Sequence, residues 1–230
     1  MLPWLRSYTL PGICLALQRL QVRRRRGRLS VHSPDLAYPV KLARVAQAAR
    51  QAQAHPDQVR LLYGDECSLY RQPTLGAVYT LVGAEPRARL AARANTRYRL
   101  SGALDALSGQ VIWTAGTKMG VRGLRQFLTT LRTGYPAHTL FLVWDNWPVH
   151  QHPEVLTHAA AQEIQLLWLP TYAPWTNPIE KLWRWLKQEL VPHHRLADQW
   201  EPLKSQATTF LNQFAHGSRA LLRYVGLLPD

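Results

Sequence analysis

Thr139-Leu140-Phe141-Leu142-Val143-Trp144-Asp145-Asn146 is an apolar run that ends on an acid and an amide. Apolar residues in unbroken succession, closed by polar ones, read as a strand covered on both faces, as in the interior of a parallel sheet. Downstream, Glu154 to Gln162 reads as a helix and Ile164 to Leu169 as a second buried strand. Pro178 to Leu190 then carries Ile179, Leu182, Trp183, Leu186 and Leu190 on one helical face. Upstream, Val121, Leu124, Phe127, Leu128 and Leu131 repeat at helical spacing. Tyr98 to Leu104 and Gln110 to Thr114 flank Ser108-Gly109 as a hairpin, and Val59 to Tyr63 is a compact first strand. The order β, hairpin, α, β, α, β, α predicts an α/β fold. Its central five-stranded mixed sheet is antiparallel early, parallel late, and flanked by helices.

The outer segments are simpler. Residues 39–54 are rich in Ala and Gln, lack Gly, and read as a helix ended before His55-Pro56-Asp57. Residues 201–215 look helical, and the last fifteen carry no clear pattern. Near the start, Pro11 opens a short helix to about Leu20 with Ile13, Leu17 and Leu20 on one face.

The chain has 230 residues, 47% hydrophobic and 18% charged, enough to bury a real core. Its net charge is +14, carried by 23 Arg and 5 Lys against 14 acids, with a pI near 10.5. Such an excess points to a polyanion, most often nucleic acid. Six Arg crowd one stretch: Arg19, Arg23, Arg24, Arg25, Arg26 and Arg28. They read either as a phosphate-tracking arm or as a solvated linker. Cys14 and Cys67 are too few for a disulfide framework or a cysteine zinc site, which fits a reducing, cytoplasmic setting. His150-x-His152 and His193-His194 lack a third ligand at zinc spacing. No secretory signal or membrane span is readable, and no phosphate-binding glycine loop, dinucleotide fingerprint or nucleophile elbow appears.

With so few acids, their positions matter. Asp65 follows the strand Val59 to Tyr63, Asp145 follows Leu140 to Trp144, and Glu180 lies in the first turn of the long amphipathic helix. Parallel neighbouring strands would present both Asp side chains at one sheet edge, where open α/β sheets place their sites. Three converging carboxylates select a hard cation, Mg²⁺ or Mn²⁺, and two such ions serve phosphoryl transfer. Each acid also has a plainer reading. Asp65 and Asp145 could form turns, and Asn177-Pro178-Ile179-Glu180 fits a capping box. Glu66 should point to the face opposite Asp65 and is not counted as a ligand.

Three segments resemble the mariner-type transposases, above all their bacterial insertion-sequence branch. They are Tyr63-Gly64-Asp65-Glu66, Trp144 to His150, and Pro170 to Trp183, with 34 residues between Asp145 and Glu180. The resemblance spans roughly residues 8–215. It implies a ribonuclease-H-like domain that cuts and joins DNA, with Asp65, Asp145 and Glu180 as catalytic metal ligands and Asn146, His150 and Asn177 in support. It implies double-stranded DNA as partner (element ends and target), a homodimer or larger assembly on DNA, and a bacterial, nucleoid-associated location away from membranes.

The domain reading follows from the same likeness. Residues 1–32 correspond to the tail of a helix-turn-helix region plus a basic linker, 33–58 to a connecting helix, 59–215 to the catalytic domain and 216–230 to a C-terminal tail. Earlier helices of that region are not matched, so a shortened copy or the second part of a split reading frame is expected. A DNA-binding remnant and a different endonuclease on the same fold are the alternatives.

Overall fold

The alternation along the strands sorts their side chains into two layers, and the computed structural model shows what fills each. It describes residues 9–22, 32–76, 79–85, 87–192 and 194–229. They fall into two compact units that part between His32 and Ser33. The first carries helix α1, Leu10–Arg19, which is capped by the Thr9 hydroxyl and buries none of its residues. Arg19 is exposed in its last turn. Arg23, Arg24, Arg25, Arg26 and Arg28 lie outside the described residues.

The second unit is built on strands β1 (Val59–Tyr70), β2 (Arg97–Asp105), β3 (Val111–Gly116), β4 (Thr139–Trp144) and β5 (Ile164–Trp168). They are ordered β3-β2-β1-β4-β5. β1, β2 and β3 pair antiparallel, and β1, β4 and β5 pair parallel. This is the five-stranded mixed sheet expected from the sequence pattern.

On β1 the odd residues Leu61, Tyr63, Cys67 and Leu69 face one layer. There they meet α2 (Tyr38–Ala54), α5 (Ile179–Leu190), α6 (Trp200–Asn212) and α7 (Arg219–Val225). Leu62 faces the other layer, with Leu140, Leu142 and Trp144 of β4. α3 (Val121–Gly134) and α4 (Pro153–Ala161) cover that side through Leu124, Phe127, Leu128, Leu131, Val155 and Ala159. α5 buries Ile179, Leu182, Trp183 and Leu186 along one stripe, each contributing about 1.5–3 kcal/mol of hydrophobic stabilisation.

Two local features differ from the sequence reading. β1 does not end at Tyr63. It continues to Tyr70 because β2 pairs with it from Leu62 to Tyr70, whereas β4 accompanies it only to Tyr63. Asp65 therefore sits inside a strand, not in a turn after one. Residues 219–225, which showed no clear pattern, form α7. Ser218 caps this helix, Gly226 closes it in the left-handed region, and Leu221, Leu222 and Val225 are buried.

Candidate active site

Asp65 and Asp145 reach the same place by different routes. The parallel register pairs Tyr63 with Val143, so two more steps bring Asp65 level with Asp145, where β4 has just ended. Alternation turns Asp65 to the α5 side of the sheet. Directly across the β1–β2 ladder from it lies Gly102. The Trp183 ring occupies the space a side chain there would need, since a Cβ on Gly102 would stand 2.6 Å from the ring. That close approach seats α5 on the sheet one turn after Glu180.

Asp65, Asp145 and Glu180 together line a cavity of about 520 Å³, with Asn146, Trp147, Leu169, Tyr172 and Asn177 among the other walls. Among the described residues no three His, Cys, Asp or Glu side chains are gathered closely enough to enclose an ion. The acids face one space and stand apart in it. Burial pushes the Asp65 carboxyl well above its ordinary range, and the charges of Glu180, Glu66 and Asp145 push it further. Glu180 is raised by burial, with Lys187 pulling the other way. Asp145 is lowered, because hydrogen bonds from His150 and the Trp147 amide outweigh its burial.

The supporting residues are structural ties. Asn146 donates its amide to the Leu169 carbonyl, and its Oδ1 accepts from Lys41 Nζ at 3.5 Å. Asn177 donates to the Gly64 carbonyl at 2.9 Å, beside Asp65, while its buried Oδ1 makes no hydrogen bond. The capping box suggested by the sequence is not formed. α5 begins at Ile179 without a side-chain cap, and the Asn177 amide is committed to β1. His150, fully buried, stacks on Trp144 at 3.8 Å between ring centroids. Its Nδ1 lies 2.8 Å from Asp145 Oδ1 and its Nε2 lies 2.9 Å from Glu66 Oε2. Burial lowers the affinity of His150 for a second proton, but the two carboxylates overcome it and raise its pKa to about 9. Both ring nitrogens then donate.

Three contributors were missed by sequence reasoning. Glu66 points away from Asp65, as alternation requires, yet meets His150 from 84 positions away. Asp35 takes Lys41 Nζ at 2.8 Å and the Thr171 amide at 2.9 Å on one oxygen, fastening the 169–171 wall of the cavity. Lys41 also donates to the Leu169 carbonyl at 3.3 Å. An acid six residues before a lysine gives no local signal of such a clamp.

The family of DDE superfamily endonucleases matches residues 60–203, the span that holds all three cavity acids. The chain belongs to this superfamily. The chain is 28% identical over 167 residues to the insertion element IS630 uncharacterized 39 kDa protein of Shigella sonnei. That alignment covers 71% of this chain and 47% of the relative, so the chain spans about half of that protein's length. Its fold is similar to the Mos1 transposase in a paired-end complex with the left transposon end, with a TM-score of 0.68 at 16% identity over 95% of this chain and 67% of that one. It is similar too to the catalytic domain of Mos1 mariner transposase, with a TM-score of 0.55 at 16% identity over 90% and 93% of the two chains. The fold of this chain is thus ribonuclease-H-like. No helix among its described residues is long and apolar enough to cross a membrane.

Proposed function

We propose that this endonuclease cuts DNA at the ends of an insertion element and joins the freed 3′-hydroxyl to a target. Asp65, Asp145 and Glu180 would hold Mg²⁺ or Mn²⁺, as two ions. The observation that carries this reading is the shared cavity, where two strands and a helix direct three carboxylates at one space within a strongly basic protein. The donor set fits such ions: all oxygen, all anionic when ionised, and with Asp65 held against like charges that a divalent cation relieves. When bound, the ions supply charge neutralisation at the phosphodiester and activation of the attacking oxygen.

The chain's own residues divide the remaining work. β1 and the Gly102–Trp183 contact fix Asp65 and Glu180 in relation to each other. His150 and the Trp147 amide hold Asp145, while Asn146, Lys41 and Asp35 keep the 169–171 wall closed beside it. The Arg19–Arg28 cluster is proposed as an arm on the DNA backbone, on a protein that acts at the nucleoid as a dimer or larger assembly.

The test is nicking of supercoiled plasmid and joining of a 3′-hydroxyl oligonucleotide, with Mg²⁺, Mn²⁺ or EDTA. The expected result is cleavage that needs the metal and disappears in a folded Glu180→Gln protein. Cleavage in EDTA, or in Glu180→Gln, would overturn the site. For the arm, changing Arg23 to Arg26 to Gln should flatten the dependence of log affinity on log salt by about 3–4 units. An unchanged slope would return the cluster to a solvated linker.

A further inference from the structure

We propose that Glu66 is a positioning residue for the cleavage reaction, acting through His150 to present Asp145 to the metal by a single oxygen, Oδ2. The proposal rests on Asp145 being a metal ligand. Asp145 Oδ1 is already taken twice, by His150 Nδ1 at 2.8 Å and by the Trp147 amide at 3.0 Å. No hydrogen bond among the described residues reaches Oδ2, and the side chain is half exposed where it lines the cavity. Held this way, Asp145 cannot swing to offer both oxygens or turn its free oxygen away.

The far end of the imidazole explains why it stays put. A ring stacked on Trp144 can still slide and rotate in its own plane. The 2.9 Å contact from Nε2 to Glu66 Oε2 fixes that freedom. Glu66 is itself anchored by the strand, within the paired β1–β2 ladder opposite Ser101. The line therefore runs from a rigid strand, through a ring with no solvent exposure, to the acid on the turn after β4.

Much of the stability that Glu66 lends the protonated His150 is cancelled by the cost of burying its own charge. Glu66 points into the apolar layer of Leu62, Ala103 and Trp144, its side chain is 12% exposed, and Oε1 makes no hydrogen bond. A buried charge with one close hydrogen-bond partner and only the Trp144 indole nearby is costly, and apolar residues in place of a buried ion pair are often neutral or stabilising. Hydrogen bonds behind a ligand orient it, and losing one typically costs 10–100-fold in metal affinity or activity.

The experiment measures Mn²⁺ binding to the DNA-free protein by the electron paramagnetic resonance of free Mn²⁺, alongside plasmid nicking as a function of Mn²⁺. Glu66→Gln should melt within a few degrees of the unaltered protein yet bind Mn²⁺ about 10–100-fold more weakly. Its nicking should recover as Mn²⁺ is raised, and Glu66→Asp should fall between the two. His150→Phe keeps the stack on Trp144 but loses both hydrogen bonds, and should reproduce the weakened binding. Unchanged Mn²⁺ affinity in a folded Glu66→Gln or His150→Phe protein overturns the proposal. Asp145→Asn separates this failure from failure of the site. That variant should lose binding that no Mn²⁺ concentration restores, and normal binding in it would mean that Asp145 is not a ligand at all.

Discussion

Asp105 and Asp65 stand on neighbouring strands three rows apart, opposite Leu62 and Gly102 respectively, on opposite faces of the sheet. Asp105 is fully buried and fully engaged. It accepts from the Leu107 and Ser108 amides at 2.7 and 2.9 Å and from the Tyr135 hydroxyl at 2.8 Å, with Arg60 at 3.7 Å. Asp65 has the Glu66 backbone amide for support and three carboxylates for neighbours. One acid is satisfied by the protein and closes the β2–β3 hairpin. The other is buried against like charges that the fold does not offset. The contrast separates a carboxylate that the fold satisfies from one that it leaves unsatisfied.

The sharpest way to break this contrast is to neutralise both acids. Asp65→Asn should reduce metal-dependent nicking by roughly 10³-fold or more while leaving the fold intact, because the lost charge stabilises the reaction and not the chain. Asp105→Asn should do the reverse. It should cost about 3–5 kcal/mol in urea unfolding, through unsatisfied amides and an unpaired Arg60, yet leave the nicking rate per folded molecule unchanged. Loss of nicking in folded Asp105→Asn would dissolve the distinction.

Gly102→Val should come next. Its side chain would intrude on Trp183, a strain of about 1–3 kcal/mol, and would lift Glu180 from its place. Activity should fall by up to about 100-fold. A smaller loss of activity than of stability would show that α5 adjusts without disturbing Glu180.

A third effect concerns pH. The His150 pKa is raised from 6.5 to about 9, so its stabilising contribution is complete below pH 6.5 and disappears as pH rises through 9. Unfolding in the divalent-free protein should show a loss on the order of 3 kcal/mol across that window, absent in His150→Phe. Equal slopes in the two proteins would mean that the Glu66–His150–Asp145 chain titrates as if exposed.

The smallest effect belongs to Asp35, whose pKa is lowered to about 2 by Lys41 and the Thr171 amide. Its tie should persist above pH 3.8 and fade as pH drops through 2. Asp35→Asn should move the melting temperature only slightly at neutral pH, since the pair is part-buried rather than core and the Asn carbonyl can still accept one of the two backbone amides. A large drop would place Asp35 beside Asp105 among the folding acids.

Much of this was legible in the sequence because it is local. Apolar runs and helical stripes marked the strands and helices, and the acids after Tyr63 and Trp144 stood out against so few others. What escaped was set by partners far along the chain. Gly64-Asp65-Glu66 has the composition of a turn, and only pairing with β2 keeps it extended. Asn177 and Glu180 have the spacing of a capping box, but the bond from the Asn177 side-chain NH2 to the Gly64 carbonyl turns the group toward β1 and leaves its oxygen off the helix amides. Glu66 was read to the correct face, yet nothing near it announces His150. α7 is a single short amphipathic segment, and its burial depends on the layer already formed by α5 and α6.

The three cavity acids ride on supports of unequal stiffness: the interior of a strand, the first turn of a packed helix, and the turn after β4. Amide hydrogen exchange would see this as a gradient. The β1–β2 ladder should exchange only through global opening, the start of α5 through partial opening, and the 145–150 turn fastest of all. Addition of a divalent ion should therefore register almost entirely at the turn. The strand gives the site its stiffest side, and residues 145–150, held at Asp145 Oδ1 by His150 and the Trp147 amide, are where an added ion should raise protection most.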